Sequence, residues 1–369
     1  MKIAFDLTPI YDHLTGVERY NINITREIII HHPENQYVLL FKNEVHKEFQ
    51  SIAQQQNVQI VTVPACNKLL FIQWSLFKAL RRIDADYYVF LSFTSPVMFK
   101  RGRIINAIHD LTCWDCPETI PTKMKYYYRY TYGVAAKNSW KLITVSKFSQ
   151  KRICERYKLS EDKVPVVYDG LTNIFAKGYT YNPDLKNKYS LPNRYMLSLS
   201  TLEPRKNLQL LIRAYRDLIE EKKELPDLVL AGRQGWKLEE IVGDVSDSLK
   251  DRIHFTGFVD DEDLPQLYAD AEVFIFPSKY EGFGLPVIEA MSQKTIVITS
   301  DAASLPEVAG TAGIMFSSDD IKALKDTICL FICMDDVEKE RRKEQGLTFS
   351  HRFSWEMESG KLYKLLQPY

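Results

Sequence analysis

The sequence lacks the features of membrane-spanning, secreted and nucleic-acid-binding proteins. In its 369 residues no apolar run reaches the roughly 18 residues that a transmembrane helix needs. Asp6 comes too early for the apolar core of a signal peptide. The 48 basic residues are balanced by 48 acidic residues, which argues against a general nucleic-acid binder but leaves room for a local basic patch. We therefore expect a cytoplasmic protein with no nucleic-acid partner.

Cysteine is also scarce, with six residues in the chain. So few thiols in a chain of this length do not suggest a disulfide framework. Cys113 and Cys116 form an isolated CxxC pair, and no clear second half-site for zinc accompanies it. We interpret the cysteines as reduced thiols in a loop and a core.

The length fits two domains better than one hydrophobic core. Short apolar runs alternate with stretches of 3.6-residue periodicity, which predicts alternating strands and helices. Because the apolar runs are continuous, we expect parallel sheets covered on both faces. The predicted fold class is α/β, with two doubly wound, Rossmann-like domains facing each other across a cleft. The predicted strands are Ile3–Leu7, Tyr37–Phe41, Val58–Val63, Tyr87–Phe93, Ile104–Ile108, Leu142–Val145, Val164–Val167, Tyr195–Leu199, Leu228–Ala231, Ile253–Phe255, Val273–Phe276, Thr295–Thr299 and Gly313–Phe316.

The polar stretch Tyr179–Asn193 contains two prolines and is interpreted as the linker between the domains. The N-terminal domain then covers residues 1–180 and the C-terminal domain residues 190–349. Residues 350–369 have the apolar positions of a packed terminal helix, which we expect to return to the N-terminal domain.

The most informative segment is Glu281-Gly-Phe-Gly-Leu-Pro-Val-Ile-Glu289, between a predicted strand and a helix that opens at Pro286. Proline suits the first helical turn, and the N–H groups that follow attract phosphate. Gly282 and Gly284 allow a ligand to approach the backbone. We expect Glu281 in the loop and Glu289 in the first turn of the helix, so that the two acids contact opposite sides of a bound diphosphate. A dinucleotide-binding enzyme is disfavoured, because the third glycine of its fingerprint is absent.

A second group of charged residues lies in Glu203-Pro-Arg-Lys-Asn207, after the first strand of the C-terminal domain. Arg205 and Lys206 precede a predicted helix for which Asn207 is the expected N-cap. A surface charge pair would explain these cations taken alone. Because the Glu281–Glu289 segment lies at the same edge of the same sheet, we favour a role in anion binding.

Two candidates lie in the N-terminal domain. His109 and Asp110 follow a predicted strand, at the sheet edge where ligands of such folds bind. Gly16, at the start of a predicted helix, can bring backbone N–H groups against a phosphate or a sugar.

Two further features are interpreted more cautiously. Asp84 and Asp86 have the DxD spacing of metal-dependent sugar transferases, but they precede their strand and are interpreted as a solvated turn. The segment Lys123–Tyr132 mixes cations with tyrosines. It is either a helix that touches a membrane or faces an acceptor, or a partly buried helix with tyrosine hydroxyls at the surface.

Together these residues resemble the retaining GT-B glycosyltransferases of family four (glycosyl transferases group 1), and in particular mannosyltransferases of bacterial surface-polysaccharide assembly. The resemblance covers nearly the whole chain. It is carried by Arg205-Lys206, Ala231-Gly232, Phe255-Thr-Gly-Phe258, the E-x7-E motif Glu281–Glu289, and Ser304-Leu-Pro-Glu-Val-Ala-Gly310.

The resemblance implies a role for each matched residue. Arg205 and Lys206 would neutralise the donor diphosphate, Glu281 would contact the transferred sugar, and Glu289 the ribose. His109 would hydrogen-bond the sugar, and Gly16 would border the acceptor pocket. Two positions depart from the family pattern: Ser200 stands where many members have an arginine, and Ser304 where glycine is common. The residues expected to line the donor site are Gly16, Gly232, Phe258, Gly282, Phe283, Gly284, Leu285 and Glu289.

The reaction implied is transfer of a hexose, with retention of configuration, from a nucleotide sugar to a hydroxyl of a saccharide or lipid-linked saccharide. GDP-mannose is the favoured donor and a UDP-sugar the alternative. We expect no metal and no cofactor, and peripheral contact with the inner face of the membrane. A front-face mechanism is favoured over double displacement, for which Glu281 is the nearest nucleophile. A GT-B-type nucleotide-sugar 2-epimerase and a non-enzymatic nucleotide-sugar-binding subunit remain alternatives, and the E-x7-E motif disfavours the epimerase.

Overall fold

The chain folds into two compact units. The first consists of residues 1–170 together with 354–369, and the second of residues 171–353. The computed structural model describes residues 1–10, 14–64, 71–176, 178–233, 235 and 249–367. Within these ranges, no helix is both long enough and apolar enough to cross a membrane.

A parallel six-stranded sheet in the order β3-β2-β1-β4-β5-β6 forms the core of the first unit. Its central strands are buried along almost their whole length, which is why their sequences are continuous apolar runs. The strands are β1 Lys2–Asp6, β2 Gln36–Lys42, β3 Val58–Val63, β4 Tyr87–Phe90, β5 Arg103–Ala107 and β6 Lys141–Ile143.

The helices of the first unit connect these strands, and the C-terminal helix packs against the first helix. Leu362 and Leu366 of the C-terminal helix are fully buried, and the Tyr363 hydroxyl accepts a hydrogen bond from Asn35 over 2.9 Å. The α-helices are Gly16–His31, Phe77–Leu80, Thr112–Asp115, Thr122–Asn138, Lys147–Tyr157 and the C-terminal Trp355–Leu366; Phe71–Leu76 is a π-helix, and short 3-10 helices occupy Lys47–Phe49, Ile52–Gln54, Pro117–Thr119 and Glu161–Lys163.

The predicted strand Val164–Val167 is wrong. Val166 forms only an isolated bridge with Thr144, and the Val167 N–H donates to the Thr144 carbonyl over 2.9 Å. Pro165 has no N–H to contribute to a ladder, so the apolar run cannot extend the sheet.

The second unit repeats the architecture, with a parallel sheet in the order β12-β11-β10-β7-β8-β9. The strands are β7 Tyr195–Leu199, β8 Asp227–Ala231, β9 Ile253–Gly257, β10 Val273–Phe276, β11 Ile296–Ser300 and β12 Ile314–Phe316. Among the described residues, the α-helices are Asn173–Ala176, Leu185–Tyr189, Leu208–Glu220, Leu264–Ala269, Leu285–Ser292, Leu305–Ala309, Ile321–Ile332 and Asp336–Ser350, and 3-10 helices occupy Pro204–Lys206 and Asp261–Asp263.

The stretch predicted as a linker, Tyr179–Asn193, lies inside the second unit, and the boundary falls after Gly170. The segment contains the helix Leu185–Tyr189, which is tied to Asp263 by Lys188 Nζ at 2.7 Å and by the Tyr189 hydroxyl at 2.8 Å. These bonds to a residue of the same unit explain why a polar, proline-containing stretch is ordered here.

Candidate functional site

The loop after β10 brings the first motif acid to the carboxyl edge of the second sheet. The helix that follows is Leu285–Ser292, so it begins one residue before the predicted Pro286. Gly284 has φ of +111°, and a Cβ there would lie 2.7 Å from the Leu305 side chain. The turn therefore requires glycine both for its backbone conformation and for the close approach.

Ser304, which departs from the family pattern, stabilises the same loop. Its hydroxyl is buried and lies 3.0 Å from the carbonyl oxygen of Glu281 and 2.7 Å from that of Phe283. The serine thus fixes the backbone on both sides of Gly282, a role that glycine could not supply.

Glu281 is buried and surrounded by donors. Its Oε1 accepts hydrogen bonds from Lys206 Nζ and from the Ser278 hydroxyl, both at 2.6 Å, and its Oε2 accepts one from Arg205 Nη1 at 3.0 Å. Burial alone would raise the pKa of this carboxyl, but Lys206 and Arg205 lower it to about 2. Glu281 is therefore an anion whose orientation is fixed by three side chains.

Arg205 and Lys206 lie on the 3-10 helix Pro204–Lys206, which follows β7. Arg205 also donates to Glu203 Oε1, from Nη2 over 2.7 Å and from Nε over 3.2 Å. Its Nη1 donates to the Tyr280 carbonyl over 2.6 Å. Burial and the neighbouring guanidinium lower the pKa of Lys206, while the pairing with Glu281 opposes that shift. The predicted proximity of the two cations to the motif acid is therefore seen in the structure.

Asn207 occupies the N-cap position of the helix Leu208–Glu220, but its side chain does not cap that helix as predicted. Its backbone is left-handed, with φ of +58°. Its Nδ2 donates instead to the carbonyls of Pro277 at 3.1 Å and Ser318 at 2.8 Å. The residue joins the loop after β7 to the loops after β10 and β12.

Glu289 lies in the second turn of its helix rather than the first, because the helix begins at Leu285. Glu289 is 5% exposed, and its Oε2 accepts a hydrogen bond of 3.0 Å from the Tyr268 hydroxyl. Glu281 therefore lies in the cluster with Arg205 and Lys206, whereas Glu289 contacts Tyr268 on a neighbouring helix.

Two more residues of the expected donor set lie at the carboxyl ends of β8 and β9. A Cβ at Gly232 would lie 1.9 Å from the Ser200 carbonyl oxygen, so only glycine fits beside the end of β7. The Ser200 hydroxyl, at the position where many family members have arginine, is buried without a hydrogen-bond partner among the described residues. Phe258 is 47% exposed, and the Arg233 guanidinium lies 4.5 Å from its ring. Because all strands of the sheet are parallel, these residues share the edge that carries Glu281.

His109 follows β5 in the first unit and is partly buried, with its ring centre 5.1 Å from that of the Tyr20 ring. Its Nε2 lies 2.7 Å from the Leu91 carbonyl oxygen, which can only accept, so Nε2 carries the hydrogen. Burial lowers the pKa of the imidazole, which favours the neutral form. The atom left to meet a ligand is therefore Nδ1, an acceptor.

Gly16 is the first residue of its helix, and a Cβ there would meet no described atom within 4 Å. Thr15 and Glu18 cap the start of the helix: the Glu18 carboxylate accepts a hydrogen bond of 2.9 Å from the Thr15 N–H. Gly16 is therefore not required by packing among the described residues.

Sequence reasoning missed two acids of these sheet edges. Glu203 adjoins the predicted cations and was not recognised as their partner. Asp6, at the carboxyl end of β1, is 4% exposed and accepts hydrogen bonds from the Thr8 N–H at 3.1 Å and the Thr8 hydroxyl at 2.7 Å. Burial raises its pKa to about 6. An acid directly after a continuous apolar strand was the signal that could have identified it.

The metal-binding alternatives find no support in the geometry. Asp86 Oδ2 accepts the Lys2 N–H at 2.8 Å, which places the DxD pair at the amino edge of the first sheet. Burial raises the pKa of the Cys113 thiol to about 12. Across the described ranges, no group of three or more His, Cys, Asp or Glu side chains is arranged to hold a metal ion.

Comparison with known proteins places this geometry in a family. The sequence profile described as Glycosyl transferases group 1 matches residues 183–348. The chain is 30% identical over 390 residues to the O-antigen chain mannosyltransferase B of Escherichia coli, covering 99% of this chain and 100% of that protein. It is 28% identical to the O-antigen chain mannosyltransferase RfbU of Salmonella typhimurium, over 60% of this chain and 58% of that one.

Solved structures share the fold over the full length. The Anabaena protein Alr3699/HepE, crystallised with UDP and glucose, has a TM-score of 0.73 at 18% identity, with 99% of both chains covered. WaaG, a glycosyltransferase involved in lipopolysaccharide biosynthesis, has a TM-score of 0.72 at 14% identity, with 100% of both chains covered.

The two doubly wound units have the GT-B fold, and the matching family profile and the mannosyltransferase relatives make the chain a glycosyltransferase. The chain belongs to the family Glycosyl transferases group 1. The predicted α/β class with two doubly wound units and the predicted glycosyltransferase class are both confirmed.

Proposed function

We propose that the enzyme transfers a mannosyl residue from GDP-mannose to a hydroxyl of a saccharide or lipid-linked saccharide in surface-polysaccharide assembly, with retention of configuration. The observation that carries the proposal is the 30% identity, over essentially the whole of both chains, to an O-antigen chain mannosyltransferase. The UDP bound in the HepE crystal belongs to a protein only 18% identical, so it bears on the fold and not on the donor.

The second unit would bind the donor. Negative charge develops on the leaving diphosphate as the C1–oxygen bond breaks, so a cation and a helix N-terminus directed there stabilise the transition state. Lys206 and the start of the helix Leu285–Ser292 supply these groups. Phe258 would border the base, and Glu289 would contact the ribose hydroxyls.

Glu281 would accept hydrogen bonds from hydroxyls of the transferred sugar. Among the described residues its Oε2 has one hydrogen-bond donor, Arg205, so the oxygen retains capacity for a sugar hydroxyl. A carboxylate held by two cations, with a pKa of about 2, is a poor nucleophile. This supports a front-face reaction, in which the acceptor oxygen bonds to C1 on the side that the diphosphate leaves and the acceptor proton passes to that phosphate.

The acceptor would bind at the carboxyl edge of the first sheet, where His109 lies. Its Nδ1 can accept a hydrogen bond from a sugar hydroxyl. We also propose that no metal or cofactor takes part, because Lys206 and the helix start can stabilise the diphosphate. Full activity after treatment with a chelator is expected, and loss that Mg²⁺ or Mn²⁺ restores would contradict this.

Contact with the inner face of the membrane is proposed for the helix Thr122–Asn138. Tyr126 and Tyr130, one turn apart, are 61% and 62% exposed, and the helix has four cations and no acid. Exposed aromatic rings among cations suit an anionic lipid interface. We expect the protein to co-sediment with phosphatidylglycerol vesicles but not with phosphatidylcholine vesicles. A protein that binds neither kind of vesicle would contradict the membrane contact.

The donor is tested by thermal shift with GDP and UDP, because a ligand that binds the folded state raises its stability. Transfer is then assayed with GDP-mannose and a lipid-linked saccharide, and the anomeric configuration of the product is read by NMR. Stabilisation by UDP alone would overturn the assignment of GDP-mannose as the donor. Consumption of a nucleotide sugar without an acceptor would favour the 2-epimerase.

A further inference from the structure

The two adjacent cations of the second unit differ in how many hydrogen bonds they already make. Among the described residues, Arg205 donates at least four hydrogen bonds: two to Glu203, one to the Tyr280 carbonyl and one to Glu281. The guanidinium plane is thereby fixed between an acid on its own turn and the loop that carries Glu281. A guanidinium held in this way has little capacity left to bind a phosphate oxygen.

Lys206 is placed differently. Its ammonium donates to Glu281 Oε1 at 2.6 Å, and it lies 5.4 Å from the centre of the Phe276 ring. Among the described residues Glu281 is its one hydrogen-bond acceptor, so two of its three N–H groups can meet a ligand. The side chain is 13% exposed, so its ammonium is largely removed from water before any ligand arrives.

The charges of the cluster also favour this division. The two negative charges of Glu203 and Glu281 balance the two positive charges of Arg205 and Lys206. Glu203 makes its direct ion pair with Arg205 and acts on Lys206 through charge alone, so the acid outside the E-x7-E motif chiefly neutralises the arginine. The direct ion pair of Lys206 is with Glu281, whose remaining hydrogen-bonding capacity faces the substrate in the proposed reaction.

From this geometry we propose that Arg205 is a positioning residue, held by Glu203, that fixes Glu281 toward the transferred sugar, and that Lys206 is the cation that contacts the donor diphosphate. The inference rests on the proposed function, since it assigns roles within the same donor site. It makes Glu203 a functional residue that acts through Arg205.

The test compares Arg205→Gln, Arg205→Lys, Glu203→Gln and Lys206→Gln with the wild type. Calorimetry measures the Kd of GDP and of UDP, and a transfer assay gives kcat and KM. For Arg205→Gln we expect a Kd within about twofold of wild type and a kcat lower by roughly 30-fold or more. For Lys206→Gln we expect the nucleotide Kd to rise by about tenfold or more.

The two milder variants keep the test independent of folding. Arg205→Lys retains a charge near Glu281 without the planar fork, so its kcat should lie between those of wild type and Arg205→Gln. Glu203→Gln should lower kcat by about threefold with an unchanged Kd, because the amide oxygen still accepts while the charge is lost. Arg194→Gln is the matched control, because Arg194 pairs with Glu272 at 2.6 Å but is 73% exposed. It should alter neither quantity.

The inference is overturned if Arg205→Gln or Arg205→Lys raises the nucleotide Kd as much as Lys206→Gln does, or if all three Arg205 and Glu203 variants turn over normally. Binding of UDP in place of GDP would remove only the donor assignment, because the same comparison is then made with UDP. Wild-type protein that binds neither nucleotide would refute the donor site and this assignment together.

Discussion

The phenol of Tyr268 donates a hydrogen bond of 3.0 Å to Oε2 of Glu289, and both side chains are buried. A buried carboxylate needs such donors, because its desolvation is costly when a partner is missing. We expect Tyr268→Phe to lower the free energy of unfolding by about 1–3 kcal/mol, measured by chemical denaturation. Tyr195→Phe is the control, since the Tyr195 hydroxyl donates to a neutral carbonyl, that of Leu267, at 2.8 Å. A smaller loss for Tyr268→Phe than for the control would contradict this account.

Glu281→Gln should reduce kcat by roughly 100-fold or more, because an amide cannot replace a carboxylate directed at the sugar. The change also removes one negative charge beside Lys206 and Arg205, so the affinity for GDP should be unchanged or higher. Steady-state kinetics and calorimetry measure the two effects. Glu272→Gln, which loses only the pairing with exposed Arg194, serves as control. Normal turnover of Glu281→Gln would remove this residue from the sugar site.

Asp6 predicts a dependence of stability on pH. Its pKa is about 6 in the folded protein against 3.8 for an aspartate in the unfolded chain, so between these values the folded state binds more protons than the unfolded state. The stabilisation is therefore full below the lower value and is lost as pH rises through about 6. Relative to Asp6→Asn, the wild type should lose about 2 kcal/mol of unfolding free energy between pH 4 and pH 7.

Thr8→Val sharpens the Asp6 prediction. The Thr8 hydroxyl and N–H lower the pKa of Asp6, so removing the hydroxyl should move the transition to higher pH. Denaturation curves collected across the pH range test both variants. An identical pH profile for wild type and Asp6→Asn would show that Asp6 does not titrate as described.

Phe258→Ala should weaken nucleoside-diphosphate binding, because an exposed ring beside the Arg233 guanidinium offers a face for stacking a base. The expected loss is about 1 kcal/mol, or roughly fivefold in Kd. Phe255, which is 40% exposed within β9, gives a matched control in Phe255→Ala. Equal effects of the two substitutions would show that Phe258 has no particular relation to the base.

Much of the fold follows from the periodicity of the sequence. Apolar runs identified the twelve strands of the two sheets; the runs are continuous in central strands such as β1, β4 and β10, which are covered on both faces, and interrupted in the partly exposed edge strands β3 and β9. The prediction of a further strand at Val164–Val167 was wrong because Pro165 has no N–H to donate to a neighbouring strand. The prediction of a linker at Tyr179–Asn193 was wrong because Lys188 and Tyr189 contact Asp263, which lies more than seventy positions away in sequence. Local composition carries no information about such partners.

The candidate site was predictable in part for a similar reason. The carboxyl ends of parallel strands meet at one edge, so the proximity of Arg205, Lys206 and Glu281 followed from topology. How their hydrogen bonds are shared depends on side-chain positions within about an ångström, which the sequence does not specify. The interaction of Glu203 with Arg205, and the burial of Glu289 beside Tyr268, could be seen only in the structure.

Asn207 has a consequence for how the donor site can move. Its side chain joins the turn of Arg205 and Lys206 to the carbonyls of Pro277 and Ser318, which follow β10 and β12. The loops after three strands of one sheet, β7, β10 and β12, are thus linked by a single side-chain amide. If a bound nucleotide displaces Lys206, the loop that carries Glu281 should move with it. The charged groups around the sugar would then keep their distances from one another.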